Sequence, residues 1–392
     1  MTSYVYLGIG ELELDWGKKG GNYSNLFLPT DKKDISYYYA DNEVILKSGY
    51  SISLERVKDR LELLGYSFQK LSSHFQEHND FYRDELPDIN FEKMLAIFSK
   101  VDIAGYKNKK EEDDYDYGEY FIDNIFENET FKELKAYIEI KNKVKYMDIG
   151  EYFANLDPLF ILRLLIENPN NLKMDLEWRS QDLIDEGWTN EKEIFTGVEE
   201  TDKFLIVTEG TSDTFIIEKS LEILKPDVLD FFTFVDMEEN YPFRGAGRLY
   251  NFCQGLTSIR IQNKILVLFD NDIAGVAKFN KTNKLNLPGQ MKIMKLPVLE
   301  DFDNFLTIGP SGETTENING KAVAIECFLD LTKSNPKIRW TNYDKDFDAY
   351  QGSLESKDDY VRSFKSVRSR NDNYDFSKLN KLLDEICKNC IQ

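Results

Sequence analysis

The sequence predicts an α/β protein in which a four-stranded parallel sheet, flanked by helices, follows an α+β N-terminal domain. Residues 204–208 and 264–269 form short, unbroken apolar runs, as expected for strands that are buried on both faces of a parallel sheet. A turn and a helical pattern follow each run. This order of strand, turn and helix is typical of the crossover connections between parallel strands. The first half of the chain differs, because short strand patterns and glycine-rich turns precede a series of amphipathic helical patterns.

Length and composition set the number of domains. A chain of 392 residues is too long for most single cores. Its 41% hydrophobic and 14% aromatic residues can fill a substantial core. A polar stretch at residues 178–200 indicates a boundary. We therefore predict an N-terminal α+β domain at 1–180, a sheet domain at 200–300, and a helical and loop extension at 301–392.

The N-terminal half begins with short strands between glycine-rich turns. Ser51 is predicted to cap the first helix, in which Leu54, Val57, Leu61 and Leu64 recur at helical spacing. Further helical patterns lie at residues 71–78, 91–98, 131–140 and 152–166. His74 and His78 would share one helix face, and with no third ligand nearby we interpret them as part of a polar face.

The sheet domain is predicted from four apolar runs and the helices between them. Gly210 permits a tight turn after the first strand, and a helix is expected from Thr211 to about Leu224. The other strands are expected at residues 231–235, 264–269 and 291–296. A helix is predicted to begin near Arg248. These elements make a compact doubly wound unit.

Three acidic residues follow two of these strands. Glu209 ends the first strand, and Asp270 and Asp272 flank the turn after the strand at 264–269. Because ligands of open α/β sheets bind outside the carboxyl ends of strands, these carboxylates are expected to converge at one rim. Alternating acids suit a hard cation. Each motif alone is common in structural turns, but their order, context and separation together are more specific.

Two motifs resemble those of the Toprim domain. The first is Glu209-Gly210 at the end of one strand, and the second is Asp270-Asn-Asp272 with Gly275 at the end of a later strand. This domain is the metal-binding module of topoisomerases, primases and OLD-type nucleases. The resemblance implies that Glu209, Asp270 and Asp272 bind Mg²⁺ or Mn²⁺, with Glu209 alternatively a general acid or base. No zinc module or strand-passage gate is visible, so the nuclease branch fits best.

Further site residues follow from the same resemblance. Asp213 resembles the additional acid of the nuclease branch, and Asp301 or Asp303 would help it to hold a second ion. OLD-type nucleases also use a lysine after their acidic residues. Lys357 is the predicted catalytic lysine, and Lys321 is the other candidate.

The N-terminal half resembles the domain that precedes Toprim modules in proteins called HEPN/Toprim-associated. The resemblance is carried by four segments: Ile9-Gly10, Leu12-Glu-Leu-Asp-Trp-Gly17, Tyr37-Tyr-Tyr-Ala-Asp41 and Arg60-Leu-Glu-Leu-Leu-Gly-Tyr66. HEPN ribonucleases use an Arg followed about five residues later by a His, and neither histidine here has an Arg at that distance. The resemblance therefore does not imply a ribonuclease site.

Charge constrains the partners. A formal net charge of −21 disfavours loose binding to polyanions, so a nucleic-acid substrate requires local positive charge or a partner. Arg244 and Arg248 flank glycines in a segment that suits either a phosphate-binding loop or, equally, a plain loop entering the helix. A second group of basic residues lies near the end of the chain: Arg362, Lys365, Arg368 and Arg370. DNA is favoured over RNA as the substrate, and we expect an activating protein partner or a homo-oligomer.

These observations predict a metal-dependent nuclease that hydrolyses nucleic-acid phosphodiester bonds. Standalone proteins of this kind look like bacterial anti-phage defence or toxin effectors, so that role is expected by analogy. The alternative is a non-catalytic Toprim-like binding or regulatory subunit with a structural cation. The sequence contains no long apolar run and no signal-peptide pattern, so we expect a cytoplasmic protein with no membrane partner.

Overall fold

The computed structural model describes most of the chain. The described residues are 6–16, 21–39, 43–82, 89–108, 116–141, 146–235, 245–259, 261–310, 312–332, 335–345 and 348–391. The chain divides into two compact units, Met1–Glu199 and Glu200–Gln392. This division falls within the polar stretch at residues 178–200, where the sequence predicts a domain boundary. Residues 301–392 belong to the same unit as the parallel sheet.

The first unit contains a five-stranded antiparallel sheet with strand order β2-β1-β5-β4-β3. Its strands are β1 (Leu7–Ile9), β2 (Leu12–Asp15), β3 (Lys32–Tyr38), β4 (Val44–Ser53) and β5 (Asp175–Trp178). The predicted cap at Ser51 is wrong. Ser51 pairs with Glu177 inside β4, and the first helix begins at Leu54. The apolar pattern is right, but the backbone of Ser51 belongs to the sheet.

Helices cover the remainder of the first unit. They are α1 (Leu54–Leu63), α2 (Phe68–Phe81), α3 (Phe91–Phe98), α4 (Tyr117–Tyr120), α5 (Lys132–Lys141), α6 (Tyr146–Ala154), α7 (Pro158–Leu165) and α8 (Gln181–Asp185). The single helix expected at residues 152–166 is two helices, because Pro158 begins α7 and lacks the N–H group that a continuous helix needs. His78 binds the backbone oxygen of Tyr152 at 3.0 Å, consistent with a role in packing.

The second unit is built on the predicted parallel sheet, which confirms the fold class. Its strands are β6 (Phe204–Val207), β7 (Phe232–Phe234), β8 (Lys264–Phe269) and β10 (Met291–Lys295), in the order β10-β8-β6-β7. Every neighbouring pair is parallel. The crossover helices are α9 (Thr211–Leu224), α10 (Ala246–Ile259) and α11 (Ile273–Thr282). Ile206, Val207 and Leu266 are fully buried, as expected for central strands covered on both faces.

The part of the chain predicted as a helical and loop extension also contains a four-stranded sheet. Its strands are β11 (Phe305–Gly309), β12 (Gly312–Glu316), β14 (Ile338–Asp344) and β15 (Ala349–Leu354). Strand β12 has the sequence Gly-Glu-Thr-Thr-Glu and is exposed along most of its length, so no apolar alternation marks it as a strand. Helices α12 (Lys357–Ser366) and α13 (Ser377–Ile391) complete the unit.

A two-residue ladder connects the two halves of this unit. Strand β9 (Asn271–Asp272) pairs antiparallel with β13 (Ala322–Val323), so that Asp272 lies opposite Ala322. The ladder therefore holds residues 322–328 beside the turn that follows β8. Within the described residues, no helix is both long enough and apolar enough to cross a membrane.

Candidate metal centre

Glu209 joins the ends of the two central strands. It lies two residues after the end of β6, and its Oε1 accepts a hydrogen bond from the backbone N–H of Asp270 at 3.0 Å. A second bond comes from the backbone N–H of Ala246, the first residue of α10. Strands β6 and β8 are parallel and in register, with Val207 opposite Val267. Glu209 and Asp270 therefore lie together at the carboxyl edge of the sheet, where the sequence predicts them.

Gly275 allows this close approach. A Cβ atom at this position would lie 2.3 Å from the backbone oxygen of Asp270 and 3.0 Å from Oε1 of Glu209. No side chain fits there without moving the backbone that carries Asp270. Asp272 caps the same turn, because its Oδ1 accepts a hydrogen bond of 2.7 Å from the N–H of Gly275. The glycine of the sequence motif is thus required by packing.

Asp213 enters the same site from the first turn of α9. Its side chain is buried, and its Oδ2 accepts a hydrogen bond from the N–H of Gly210 at 2.9 Å. Its charge interacts with that of Glu209, and the charge of Asp270 interacts with both. The four acids of the sequence motifs, Glu209, Asp213, Asp270 and Asp272, are therefore brought together.

A fifth acid, Glu326, was missed by sequence reasoning. It lies in the short 3₁₀ turn Ile325–Phe328, just after β13, and only 5% of its surface is exposed. Its charge interacts with those of Asp213 and Asp270. The sequence of residues 324–329 has the pattern of an ordinary helix, so it does not mark Glu326 as a site residue. The β9–β13 ladder that places Glu326 is too short to show a periodic pattern of apolar residues in the sequence. We call these five residues the carboxylate cluster.

Burial raises the pKa values of four acids of the cluster, and repulsion between carboxylates adds to the effect at Glu209, Asp213 and Asp270. Burial is the main cause at Glu209 and Asp213, and each pKa rises to about 7. Burial, together with the charges of Asp213, Glu209, Asp272 and Glu326, raises the pKa of Asp270 well above its ordinary range. The pKa of Asp272 is also raised by burial. Carboxylates held this close bind protons unless a cation compensates their charge.

The donor set has the chemistry of a magnesium or manganese site, since it consists of carboxylate oxygens from several elements. Among the residues that the structure describes, no three such side chains are already arranged as ligands of one ion. Glu209, Asp213 and Asp272 each use a carboxylate oxygen to accept a backbone N–H. The residues fit the ion in type and charge.

The predicted lysine lies beside the cluster. Lys357 is the first residue of α12, and its Nζ is 3.6 Å from Oε1 of Glu326. About half of the Lys357 side chain is exposed, so it also faces solvent at the edge of the site. The other candidate, Lys321, forms a backbone bridge with Asp272 and has an exposed side chain. The contact with Glu326 favours Lys357.

Asp301 and Asp303 have other partners. Asp301 forms an ion pair of 3.0 Å with Lys381. Asp303 accepts hydrogen bonds from the side-chain amides of Asn317 at 2.8 Å and Asn319 at 3.0 Å. In the described part of the chain, neither aspartate interacts with the carboxylate cluster. Their role as ligands of a second ion stays a prediction.

The predicted basic residues occupy two places. Arg248 is exposed in the first turn of α10, the helix whose first residue binds Glu209. Arg362 is exposed and pairs with Asp359 at 3.0 Å. Lys365, Arg368 and Arg370 are exposed at the end of α12 and just after it. The predicted contact at Arg244 lies outside the described residues.

Comparison with known proteins identifies one family. The family model described as HEPN/Toprim N-terminal domain 1 matches residues 1–202, which is more than half of the 392-residue chain. No curated protein and no solved structure gives a significant match. The matched residues contain the first unit and end just before β6.

Proposed function

The chain belongs to the HEPN/Toprim N-terminal domain 1 family, a nuclease-related group, and from this premise we propose that it is a metal-dependent nuclease. The observation that carries the proposal is the carboxylate cluster at the carboxyl edge of a parallel sheet. Burial and the charges of neighbouring acids raise the pKa values of Glu209, Asp213 and Asp270. A structural role alone gives no reason to bury so much negative charge, whereas a divalent cation compensates it.

In this proposal, Glu209, Asp213, Asp270 and Asp272 would hold Mg²⁺ or Mn²⁺. When bound, the ion would supply an activated water and neutralise charge on the phosphodiester. Alternatively, Glu209 is the general acid or base of the reaction and the other acids hold the ion. Lys357 contacts a phosphate oxygen when its bond to Glu326 is exchanged for one to the substrate.

We propose DNA as the preferred substrate and cytoplasmic defence against phage, or toxicity, as the biological role. The net charge of −21 opposes the approach of free DNA, which supports activation by a protein partner or by self-association. Arg248, Arg362, Lys365, Arg368 and Arg370 are the proposed contacts to the nucleic acid, together with Arg244.

The test is cleavage of plasmid, single-stranded DNA and transfer RNA by purified protein with Mg²⁺, Mn²⁺ or EDTA. We expect metal-dependent products that Asp270→Ala abolishes. The matched control is Glu385→Ala, which removes a partly exposed acid of α13 that pairs with Lys388 at 3.2 Å. Metal binding without cleavage under all conditions would support the regulatory alternative instead. Full activity of Asp270→Ala would refute the assignment of the site.

A further inference from the structure

Two helices of the second unit begin at the carboxylate cluster. Helix α9 carries Asp213 in its first turn, and α12 begins at Lys357, 3.6 Å from Glu326. Asp213 and Glu326 interact electrostatically, so the two helix starts are neighbours. Residues farther along each helix therefore extend away from the same point.

The same two helices meet again beyond the cluster. Nζ of Lys219 in α9 donates a hydrogen bond of 2.8 Å to the backbone oxygen of Lys365 in α12. Nζ of Lys219 is also 5.5 Å from the ring centre of Phe364, and Nζ of Lys365 is 5.3 Å from that of Phe215. These cation–π contacts fix the stems of both lysines against the protein. The hydrogen bond from Lys219 to the backbone of Lys365 holds these two residues next to each other.

Arg368 adds a third positive charge to this place. Its charge lowers the pKa of Lys219, after the larger effect of burial, and Glu222 offsets this only in part. Asp372 lies near, but it accepts the backbone N–H groups of Arg368 and Ser369. In the described part of the chain, no acid forms an ion pair with Lys219, Lys365 or Arg368. We call these three residues the cation ridge.

The distance from the cluster to the ridge follows from helix geometry. Lys219 comes six residues after Asp213, and Lys365 eight residues after Lys357. At about 1.5 Å per residue, the ridge lies roughly 9 to 12 Å from the cluster along both helices. A strand bound at the cluster can therefore reach the ridge within a few nucleotides.

We propose that the cation ridge binds a backbone phosphate a few nucleotides from the bond that is cleaved at the carboxylate cluster. The inference rests on the proposed nuclease function and adds Lys219 to its substrate contacts. The ridge fixes which stretch of the strand lies along α9 and α12. Phe215 and Phe364 act through the lysines that they position.

The test uses a DNA duplex with its cleaved bond mapped by sequencing the product ends. A single neutral methylphosphonate linkage is then placed at each of the six neighbouring positions in turn. At one of these positions, we expect a roughly tenfold loss of kcat/KM for the wild-type protein, as for the loss of one charged hydrogen bond. In Lys219→Ala and Arg368→Ala the same linkage should cause little further loss, because the contact is already gone.

Two variants control for folding and for general charge. Lys219→Arg should restore the wild-type response, and Lys284→Ala, which removes an exposed lysine just after α11, should leave it unchanged. If Lys219→Ala and the neutral linkage lower kcat/KM by independent factors at every position, the two changes do not affect the same contact. The ridge inference is then overturned, while the nuclease function stands. If the wild-type protein cleaves nothing, both proposals fail, which is a different result.

Discussion

Asp270 experiences more like charge than any other position described in the site. Its charge interacts with those of Asp213, Glu209, Asp272 and Glu326, and burial adds to the effect. Its backbone N–H is bound by Glu209 and its backbone oxygen faces Gly275, so the chain cannot easily move it away. The repulsion is therefore built into the backbone and is relieved only by a proton or a cation.

This repulsion makes stability depend on pH when metal is absent. An acid with a pKa higher in the folded protein than in the unfolded chain holds more protons when folded. The free energy of unfolding therefore falls as pH rises from about 4.5 towards and above about 7, the ordinary and folded pKa values of Glu209. In EDTA, we expect the wild-type protein to be less stable at pH 8 than at pH 5.

Asp270→Asn removes the charge that interacts with most of the cluster. The free energy of unfolding of this variant should therefore fall less steeply with rising pH than that of the wild-type protein. Urea denaturation of both proteins in EDTA measures the difference. Parallel pH profiles for the two proteins would show that the carboxylates do not repel one another.

Gly275 allows a second prediction at the scale of a residue. Gly275→Ala should lower the free energy of unfolding by about 1 to 3 kcal/mol and reduce cleavage, because the new methyl group clashes with the backbone oxygen of Asp270 at 2.3 Å. Gly255→Ala in α10 is the matched control. Among the described residues, no atom outside the neighbouring backbone of α10 lies within 4 Å of its added Cβ, so the change should be neutral or slightly stabilising. Equal effects of both changes on stability would refute the packing argument.

At the scale of the element, the parts of the site formed by local sequence were predictable. Helix α9 and strand β8 have the predicted limits, because unbroken apolar runs, a turn glycine and capping residues mark their ends. Glu326 was not predictable. It depends on pairing between β9 and β13, two residues each and far apart in sequence. Such a ladder has neither the length nor the alternation by which strands are recognised.

Helix α12 positions the lysine of the site, which gives a prediction for this element. Lys357→Ala should lower kcat by roughly a hundredfold while Mn²⁺ binding is retained, because its ammonium stabilises charge that develops on the phosphate. Lys321→Ala is the control, since Lys321 is exposed and is the other candidate from the sequence. Cleavage assays and Mn²⁺ titration of both variants decide between them. A loss in Lys321→Ala alone would assign the role to Lys321.

At the scale of the whole molecule, the net charge of −21 opposes a polyanionic substrate. Positive charge is concentrated at the end of α12 and just after it, where Lys365, Arg368 and Arg370 are exposed. Substrate affinity should then come from a few ionic contacts and depend steeply on salt. The composition alone predicts repulsion between the protein and a nucleic acid. The sequence does not predict that Lys219 belongs to the basic surface, because this depends on the contact between α9 and α12.

The double variant Arg368→Ala/Arg370→Ala should bind duplex DNA more weakly and flatten the logarithmic salt dependence by roughly two units, at about 0.9 per phosphate contact. Lys281→Ala/Lys284→Ala removes the same charge from exposed positions at the end of α11 and beyond, and should keep the parent slope. Fluorescence anisotropy over a series of salt concentrations measures both. Identical slopes for all three proteins would show that the residues at 368 and 370 are only solvated surface.

Divalent-metal binding by the carboxylate cluster is the central claim, and titration with Mn²⁺ followed by electron paramagnetic resonance tests it most directly. At pH 8, the wild-type protein and Glu385→Ala should remove free Mn²⁺ from solution with equal affinity. Asp270→Ala should lose this binding, because it lacks the carboxylate that interacts with all other members of the cluster. Equal Mn²⁺ binding by Asp270→Ala and the wild-type protein would contradict the account.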